Sequence, residues 1–271
     1  MIAEVTSSKL KGSLPIPASK SHSIRALLIA TLAEGTSELY NLLDSADVKS
    51  CIETCRALGA EISEAPDKLI VKGTGGRITA PADPIDVGNS GTTIYLAASL
   101  AALSDTPVTF DGDEQIRNRS ASNLLDALGT LGAKISSAPK GCAPFSVSGP
   151  VDGGEVTIEC PTSQYLSSLL LAAPLFKNET IINVSLLHEQ PYAEMTLRWL
   201  DEQGIKYTNR DFKQFIIPGN QKYRSFSKKI PADFSSGTFF LCAAAITQSV
   251  LTLKGLDMSD SQGDKVVVHM L

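Results

Sequence analysis

Ala57-Leu58-Gly59-Ala60-Glu61-Ile62 returns as Thr130-Leu131-Gly132-Ala133-Lys134-Ile135, and in looser form as Glu202-Gln203-Gly204-Ile205-Lys206-Tyr207. The spacing is roughly 72 residues, longer than the repeats of common solenoids. Upstream of each copy stands the same series: an Ala/Leu-rich helix, a short β-branched strand, a polar turn and an amphipathic helix. Apolar spacing predicts the Ala/Leu-rich helices over Ser23 to Leu32, Thr92 to Ala102 and Tyr165 to Leu175. It predicts the strands over Ser37 to Leu42, Pro107 to Asp111 and Thr180 to Val184. The amphipathic helices fall over Val48 to Leu58, Ala121 to Leu131 and Ala193 to Gln203. Gly59, Gly132 and Gly204 close them, because glycine readily takes the left-handed conformation that ends a helix. A fourth copy opens with Ser235 to Ala245, passes through Val250 to Leu253 and enters a helix near Gly263 to Met270. That copy lacks its closing glycine and later strands, so the expectation from sequence is a fragment or truncated product.

The Ala/Leu-rich helices are apolar most of the way round, which requires protein on every side. This pattern predicts helices inside and sheets outside, with small residues allowing the crowding. An ordinary doubly wound sheet fits less well, because its connecting helices are amphipathic and its strands are longer apolar runs.

Composition narrows the function classes. The 271 residues are 43% hydrophobic and 20% charged with a net charge of −5, so no chain-wide basic field exists for nucleic acid or an anionic membrane. The N-terminus has no readable secretory signal. The longest apolar stretches, such as Leu166 to Phe176, are broken by serines or fall short of the roughly 18 residues of a membrane span. Of five cysteines, Cys51 and Cys55 share a helical face and the others stand alone. Metal-type spacing is absent, and a reduced, cytoplasmic setting is expected.

Four polar segments could carry chemistry. Pro17-Ala18-Ser19-Lys20-Ser21-His22-Ser23-Ile24-Arg25 precedes the first apolar helix and gathers hydroxyls, backbone N–H groups, Lys20 and Arg25 at a helix start suited to phosphate or carboxylate. It lacks the glycines of a P-loop. A plain Ser cap with two solvated cations is the competing reading. Gly88-Asn89-Ser90-Gly91-Thr92-Thr93 opens the second apolar helix at the equivalent point of its repeat. Its glycines let the backbone approach a ligand, although a simple capped turn has the same look. In Asp111-Gly112-Asp113-Glu114-Gln115-Ile116-Arg117-Asn118-Arg119-Ser120, Arg119 could fork onto an anion and Arg117 could neutralise Asp113 or Glu114. Pro161-Thr162-Ser163-Gln164-Tyr165 begins the third apolar helix with two hydroxyls and an amide. Pseudo-symmetry could bring these three helix starts together at one end of the domain, where dipoles and donors would act on one anion. His22, His188 and His269 form no ligand pattern and are expected at surface or turn positions. Ser225-Phe226-Ser227-Lys228 matches SxxK but has none of the companion motifs of that chemistry.

These residues resemble the 5-enolpyruvylshikimate-3-phosphate synthase family along nearly the whole chain. Lys20-Ser21-x-Ser23-x-Arg25 is similar to its first signature, Asn89-Ser90-Gly91-Thr92 to its Asn-Ala-Gly-Thr loop, and Arg119 falls at a phosphoenolpyruvate-binding arginine. Thr162-Ser163-Gln164 resembles the family's Ser-Ser-Gln, and Pro191-Tyr192 a Pro-Tyr at the same substrate. Asp233-Phe234-Ser235-Ser236 and Gln262-Gly263-Asp264 also follow family patterns. Departures stand at Tyr95-Leu96 in place of Arg-Pro, at Asn118-Arg119-Ser120 in place of Glu-Arg-Pro, and at Glu189 in place of a frequent serine.

The resemblance implies an α/β fold, the inside-out α/β barrel of enolpyruvyl transferases built from repeated βαβαββ units. One domain would be nearly complete, from about Ser19 to Ile230, and the other truncated, comprising Met1 to Ala18 and Pro231 to Leu271. It implies transfer of the enolpyruvyl group of phosphoenolpyruvate to the 5-hydroxyl of shikimate 3-phosphate. Shikimate 3-phosphate would meet Lys20, Ser21, Arg25, Thr162, Ser163, Gln164 and Tyr192. Phosphoenolpyruvate would meet Lys20, Asn89, Gly91, Thr92, Arg119 and Gln164. The resemblance implies no metal or organic cofactor, small-molecule substrates as the only partners, and a monomer at full length. The family's acid and base residues would fall beyond Leu271, so the chain alone is expected to be inactive. Two rival readings are a non-catalytic shikimate-3-phosphate-binding module and the related UDP-N-acetylglucosamine enolpyruvyl transferase. The latter family has Lys-Asn where this chain has Lys20-Ser21.

Overall fold

The structure, a computed structural model, describes residues 8–271. The first seven residues of the segment expected to start the second domain lie outside the described residues. The chain opens with β1 (Lys11–Pro15), α1 (Lys20–Leu32), β2 (Thr36–Tyr40), α2 (Ala46–Ala57), β3 (Glu61–Ala65) and β4 (Lys68–Lys72). A second unit follows: β5 (Ile85–Asp86), α3 (Gly91–Ala101), β6 (Val108–Asp111), the single turn α4 (Glu114–Arg117), α5 (Ser122–Thr130), β7 (Lys134–Ala138) and β8 (Cys142–Ser148). The third comprises β9 (Gly154–Cys160), α6 (Ser163–Ala172), β10 (Thr180–Leu187), α7 (Gln190–Glu202), β11 (Thr208–Arg210) and β12 (Gln214–Ile217). Last come β13 (Ser227–Lys229), α8 (Phe234–Ile246), β14 (Val250–Lys254) and the short α9 (Val267–Met270).

Three four-stranded sheets share one topology. Their strand orders are β13-β2-β4-β3, β5-β6-β8-β7 and β9-β10-β12-β11. In each, the first pair is parallel and the other two are antiparallel. Units two and three draw the leading strand from just before the apolar helix. Unit one does not. Its leading strand is β13, almost two hundred positions downstream in sequence, while β1, which precedes α1, pairs in parallel with β14. The two connections therefore cross, running antiparallel through an Ala18–Ala232 bridge, with Ser19 N–H donating to Pro231 and Asp233 N–H to Pro17.

The apolar helices α1, α3 and α6 form the interior. From Ile24 to Leu32 every residue of α1 is buried, Arg25 and Thr31 included, and α3 and α6 are nearly as enclosed. Serines sit where α3 meets α6. Ser168 donates to the Tyr95 carbonyl at 2.6 Å and lies 2.7 Å from the Ser99 hydroxyl, so these small polar groups permit close approach without leaving buried hydroxyls unpaired. The amphipathic helices end as their sequences predict, with φ of +106°, +101° and +70° at Gly59, Gly132 and Gly204. No described helix is long and apolar enough to cross a membrane.

Candidate active site

Each apolar helix begins with a side-chain cap. Ser19 accepts from the His22 N–H, Ser90 from the Thr93 N–H and Thr162 from the Gln164 N–H. The capped ends converge on two adjoining clefts. The smaller, about 170 Å³, is lined by Lys20, Ser21, Arg25, Thr92, Ser163, Gln164, Glu189 and Tyr192. The larger, about 470 Å³, is lined by Lys20, Asp47, Asn89, Gly91, Thr92, Tyr95, Arg119 and Gln164. Lys20, Thr92 and Gln164, one from each unit, face both. Unpaired N–H groups at helix starts and aligned dipoles favour an anion there.

Arg25 is 1% exposed, yet no carboxylate among the described residues lies within ion-pair distance of it. Its guanidinium donates from Nε to Thr196 Oγ1 at 2.8 Å, from Nη1 to the Ser21 carbonyl at 3.1 Å, and from Nη2 to Ser167 Oγ and the Tyr192 carbonyl at 3.2 and 3.0 Å. All four acceptors are neutral, and a guanidinium has five N–H groups, so one on Nη1 is left at the cleft. Burial pushes Arg25 down to about 10, against the opposing pull of the Tyr192 phenol, which leaves it charged at neutral pH. A buried cation without a counter-ion is costly unless a ligand supplies one. Nearby, the buried Ser163 Oγ and Gln164 Oε1 have no hydrogen-bond partner among the described residues.

The remaining charges are more exposed. Lys20 stands 3.6 Å from Asp47. Arg119 has no carboxylate partner among the described residues and only a long contact from Nη2 to Asn89 Oδ1 at 3.5 Å. Across both clefts, three cations face two carboxylates, Asp47 and Glu189, so the lining side chains carry one net positive charge.

Nearly every residue expected from sequence lines these clefts. Thr162 is the exception: its hydroxyl donates to Glu189 Oε2 at 3.2 Å at the rim. Tyr192 lines the smaller cleft, and its phenol donates to Asp264 Oδ2 at 3.4 Å. Arg117 forks onto Asp111 at 2.8 and 2.6 Å, a correction to the expected Asp113 or Glu114, because Asp113 is occupied in capping α4. His22 is a second correction. It is 5% exposed, accepting from Trp199 Nε1 at Nδ1 (3.0 Å) and donating from Nε2 to Asp260 at 3.1 Å. Burial pushes Asp260 up, but the His22 contact and the Gln262 N–H outweigh it and hold the carboxyl below its ordinary range. His188 and His269 are exposed as expected. Asp47 was not singled out from the sequence. Its position in the first turn of α2, just after the Ser45 cap, reads equally well as a dipole-favoured surface acid.

The fold and clefts define an α/β protein of pseudo-symmetric βαβαββ units that gathers its apolar-helix starts and three cations around two adjoining clefts. A profile of EPSP synthase (3-phosphoshikimate 1-carboxyvinyltransferase) matches residues 5–271, and the chain belongs to that family. The chain is 49% identical to the 3-phosphoshikimate 1-carboxyvinyltransferase of Acetivibrio thermocellus and 46% to that of Ruminiclostridium cellulolyticum. Each alignment covers all of this chain and 64% of the relative, so the chain spans less than two thirds of their length. Among solved structures, EPSP synthase from Acinetobacter baumannii superposes with a TM-score of 0.81 at 25% identity, covering 92% of this chain and 56% of that one.

Proposed function

We propose that these clefts serve the transfer of the enolpyruvyl group of phosphoenolpyruvate to the 5-hydroxyl of shikimate 3-phosphate, with release of phosphate. The smaller cleft takes shikimate 3-phosphate through Lys20, Ser21, Arg25, Ser163, Gln164 and Tyr192, with Thr162 joining once it turns from Glu189. The larger takes phosphoenolpyruvate through Lys20, Asn89, Gly91, Thr92, Arg119 and Gln164. Residues from about Ser19 to Ile230 act as the body that holds both ligands, and Met1 to Ala18 with Pro231 to Leu271 belong to a second domain. The five free cysteines favour a cytoplasmic setting.

One observation carries this reading: Arg25 is buried, charged and served only by neutral acceptors. Shikimate 3-phosphate supplies the missing anion. Phosphoenolpyruvate adds a phosphate and a carboxylate, which Lys20 and Arg119 meet beside the start of α3. Fixed donors at both clefts set the two ligands side by side, so orientation and charge neutralisation are what this chain contributes. No acid or base role is assigned to any of its residues.

Calorimetry on the 271-residue chain tests the assignment. Shikimate 3-phosphate should bind, more tightly at low salt, and phosphoenolpyruvate should bind better once the first ligand is present. Absence of heat with millimolar shikimate 3-phosphate would count against it.

A further inference from the structure

Arg119 poses a positioning problem. It is exposed, lies on the segment between α4 and α5, and is secured at its tip only by the long contact to Asn89. A long unrestrained side chain gives up rotamer freedom when it binds, which weakens its grip on a ligand. The chain that carries it is nevertheless held firmly. The Arg119 N–H donates to the Ile116 carbonyl at 3.0 Å. The Ser120 hydroxyl donates to the Lys140 carbonyl at 2.6 Å and accepts from the Ser122 N–H. Two phenols then converge on the Ser120 carbonyl: Tyr95 from α3 at 3.2 Å and Tyr165 from α6 at 2.7 Å. A carbonyl oxygen has two lone pairs and accepts both.

The rings meet edge to face, with centroids 5.2 Å apart and planes at 88°, so each steadies the other. Burial pushes both phenols up, against the opposing pull of Arg119 on Tyr95, and they stay protonated donors at neutral pH. On the ligand side, Gly91 completes the seat. A Cβ there would lie 2.9 Å from Arg119 Nη1, so the guanidinium fits over the start of α3 only because position 91 has no side chain.

We infer that Tyr95 and Tyr165 are positioning residues for Arg119: by gripping the Ser120 carbonyl they fix the backbone from which the guanidinium reaches over Gly91 into the lining of the larger cleft. The inference deepens the proposed function, since it rests on the larger cleft taking phosphoenolpyruvate. Tyr95 and Ser120 are two of the positions where the chain departs from the family pattern, and the structure joins them by a hydrogen bond.

Calorimetry with phosphoenolpyruvate, in saturating shikimate 3-phosphate, tests it on the full chain and its Tyr95→Phe/Tyr165→Phe variant. Loss of both hydroxyls keeps the ring packing, and it should weaken phosphoenolpyruvate about 10-fold while shikimate 3-phosphate changes less than about 2-fold. In an Arg119→Met background the same pair should add less than about 2-fold. Equal weakening of both ligands, or a full loss in the Arg119→Met background, would overturn the inference, because the phenols would then serve the fold rather than the arginine. A second readout needs no ligand: the 15N order parameter of the Arg119 backbone N–H should fall in the double variant. An unchanged value would overturn the positioning role even where wild type binds phosphoenolpyruvate. Failure of wild type to bind phosphoenolpyruvate, with the order parameter falling as expected, would instead retire the ligand assignment alone.

Discussion

Arg25 and Arg119 face neighbouring clefts, yet the molecule builds them in opposite ways. Arg25 grows from the second turn of a helix enclosed on all sides, and four of its N–H groups are fixed by hydroxyls and carbonyls from α1, α6 and α7. Arg119 stands on a surface segment with a free side chain and an anchored backbone. The first is oriented before any ligand arrives, and folding bears the cost of burying its charge. The second remains solvated, and a ligand there would have to order it on binding. Burial therefore separates a rigid corner from an adjustable one, and the two should respond differently to mutation and salt.

Arg25→Met should have the largest effect. Removing a buried, ligand-paired charge is expected to weaken shikimate 3-phosphate on the order of 100-fold, read by calorimetry. Folding stability should stay within about 1 kcal/mol of wild type in a urea titration, because the uncompensated charge is removed with its hydrogen bonds. Thr196→Val comes next. It strips the acceptor from Nε and leaves a buried donor unpaired, so stability should fall by about 1–3 kcal/mol and the ligand should bind about 10-fold more weakly. Gly91→Ala then probes the adjustable corner. The new Cβ would stand 2.9 Å from a flexible side-chain end rather than from backbone, so Arg119 yields and the fold survives. Phosphoenolpyruvate binding should weaken about 5-fold while shikimate 3-phosphate is unaffected. The smallest change belongs to Glu189→Ser, which removes a rim carboxylate and releases the Thr162 hydroxyl. Shikimate 3-phosphate should bind about 3-fold more tightly, and weaker binding would mean that Glu189 contacts the ligand favourably.

The repeat made much of this architecture legible in advance. Helices apolar on every face read as interior, which holds for α1, α3 and α6 but not for α8, where Phe239 and Ile246 are 78% and 82% exposed; glycines at equivalent points marked the ends of α2, α5 and α7, where the backbone has positive φ. Helix starts carrying hydroxyls and cations at matching repeat positions pointed to one focus, and Lys20, Thr92 and Gln164 meet there. The pairing of β13 with β2 was not legible. β13 is three residues long, and nothing in Ser227-Lys228-Lys229 says that its partner is Glu38–Tyr40 rather than a strand nearby in sequence. Strand pairing between distant segments is a property of the closed chain, not of either segment. His22 misled for a related reason: a polar residue beside Lys20 reads as exposed, and its partners Trp199 and Asp260 come from other units. Arg117 chose Asp111, six residues back, because the turn before α4 folds strand and helix against each other.

Three repeat-related helix starts line the two clefts together, and as a single anion site they should respond to one ligand as a unit. Chemical-shift mapping on the 15N-labelled chain tests this most directly, with shikimate 3-phosphate as ligand. The amides of Lys20 and Ser21, of Thr92, and of Ser163 and Gln164 should shift together along a single saturation curve. Shifts confined to one unit, or gathered around β1 and β14 with the three helix starts silent, would contradict it.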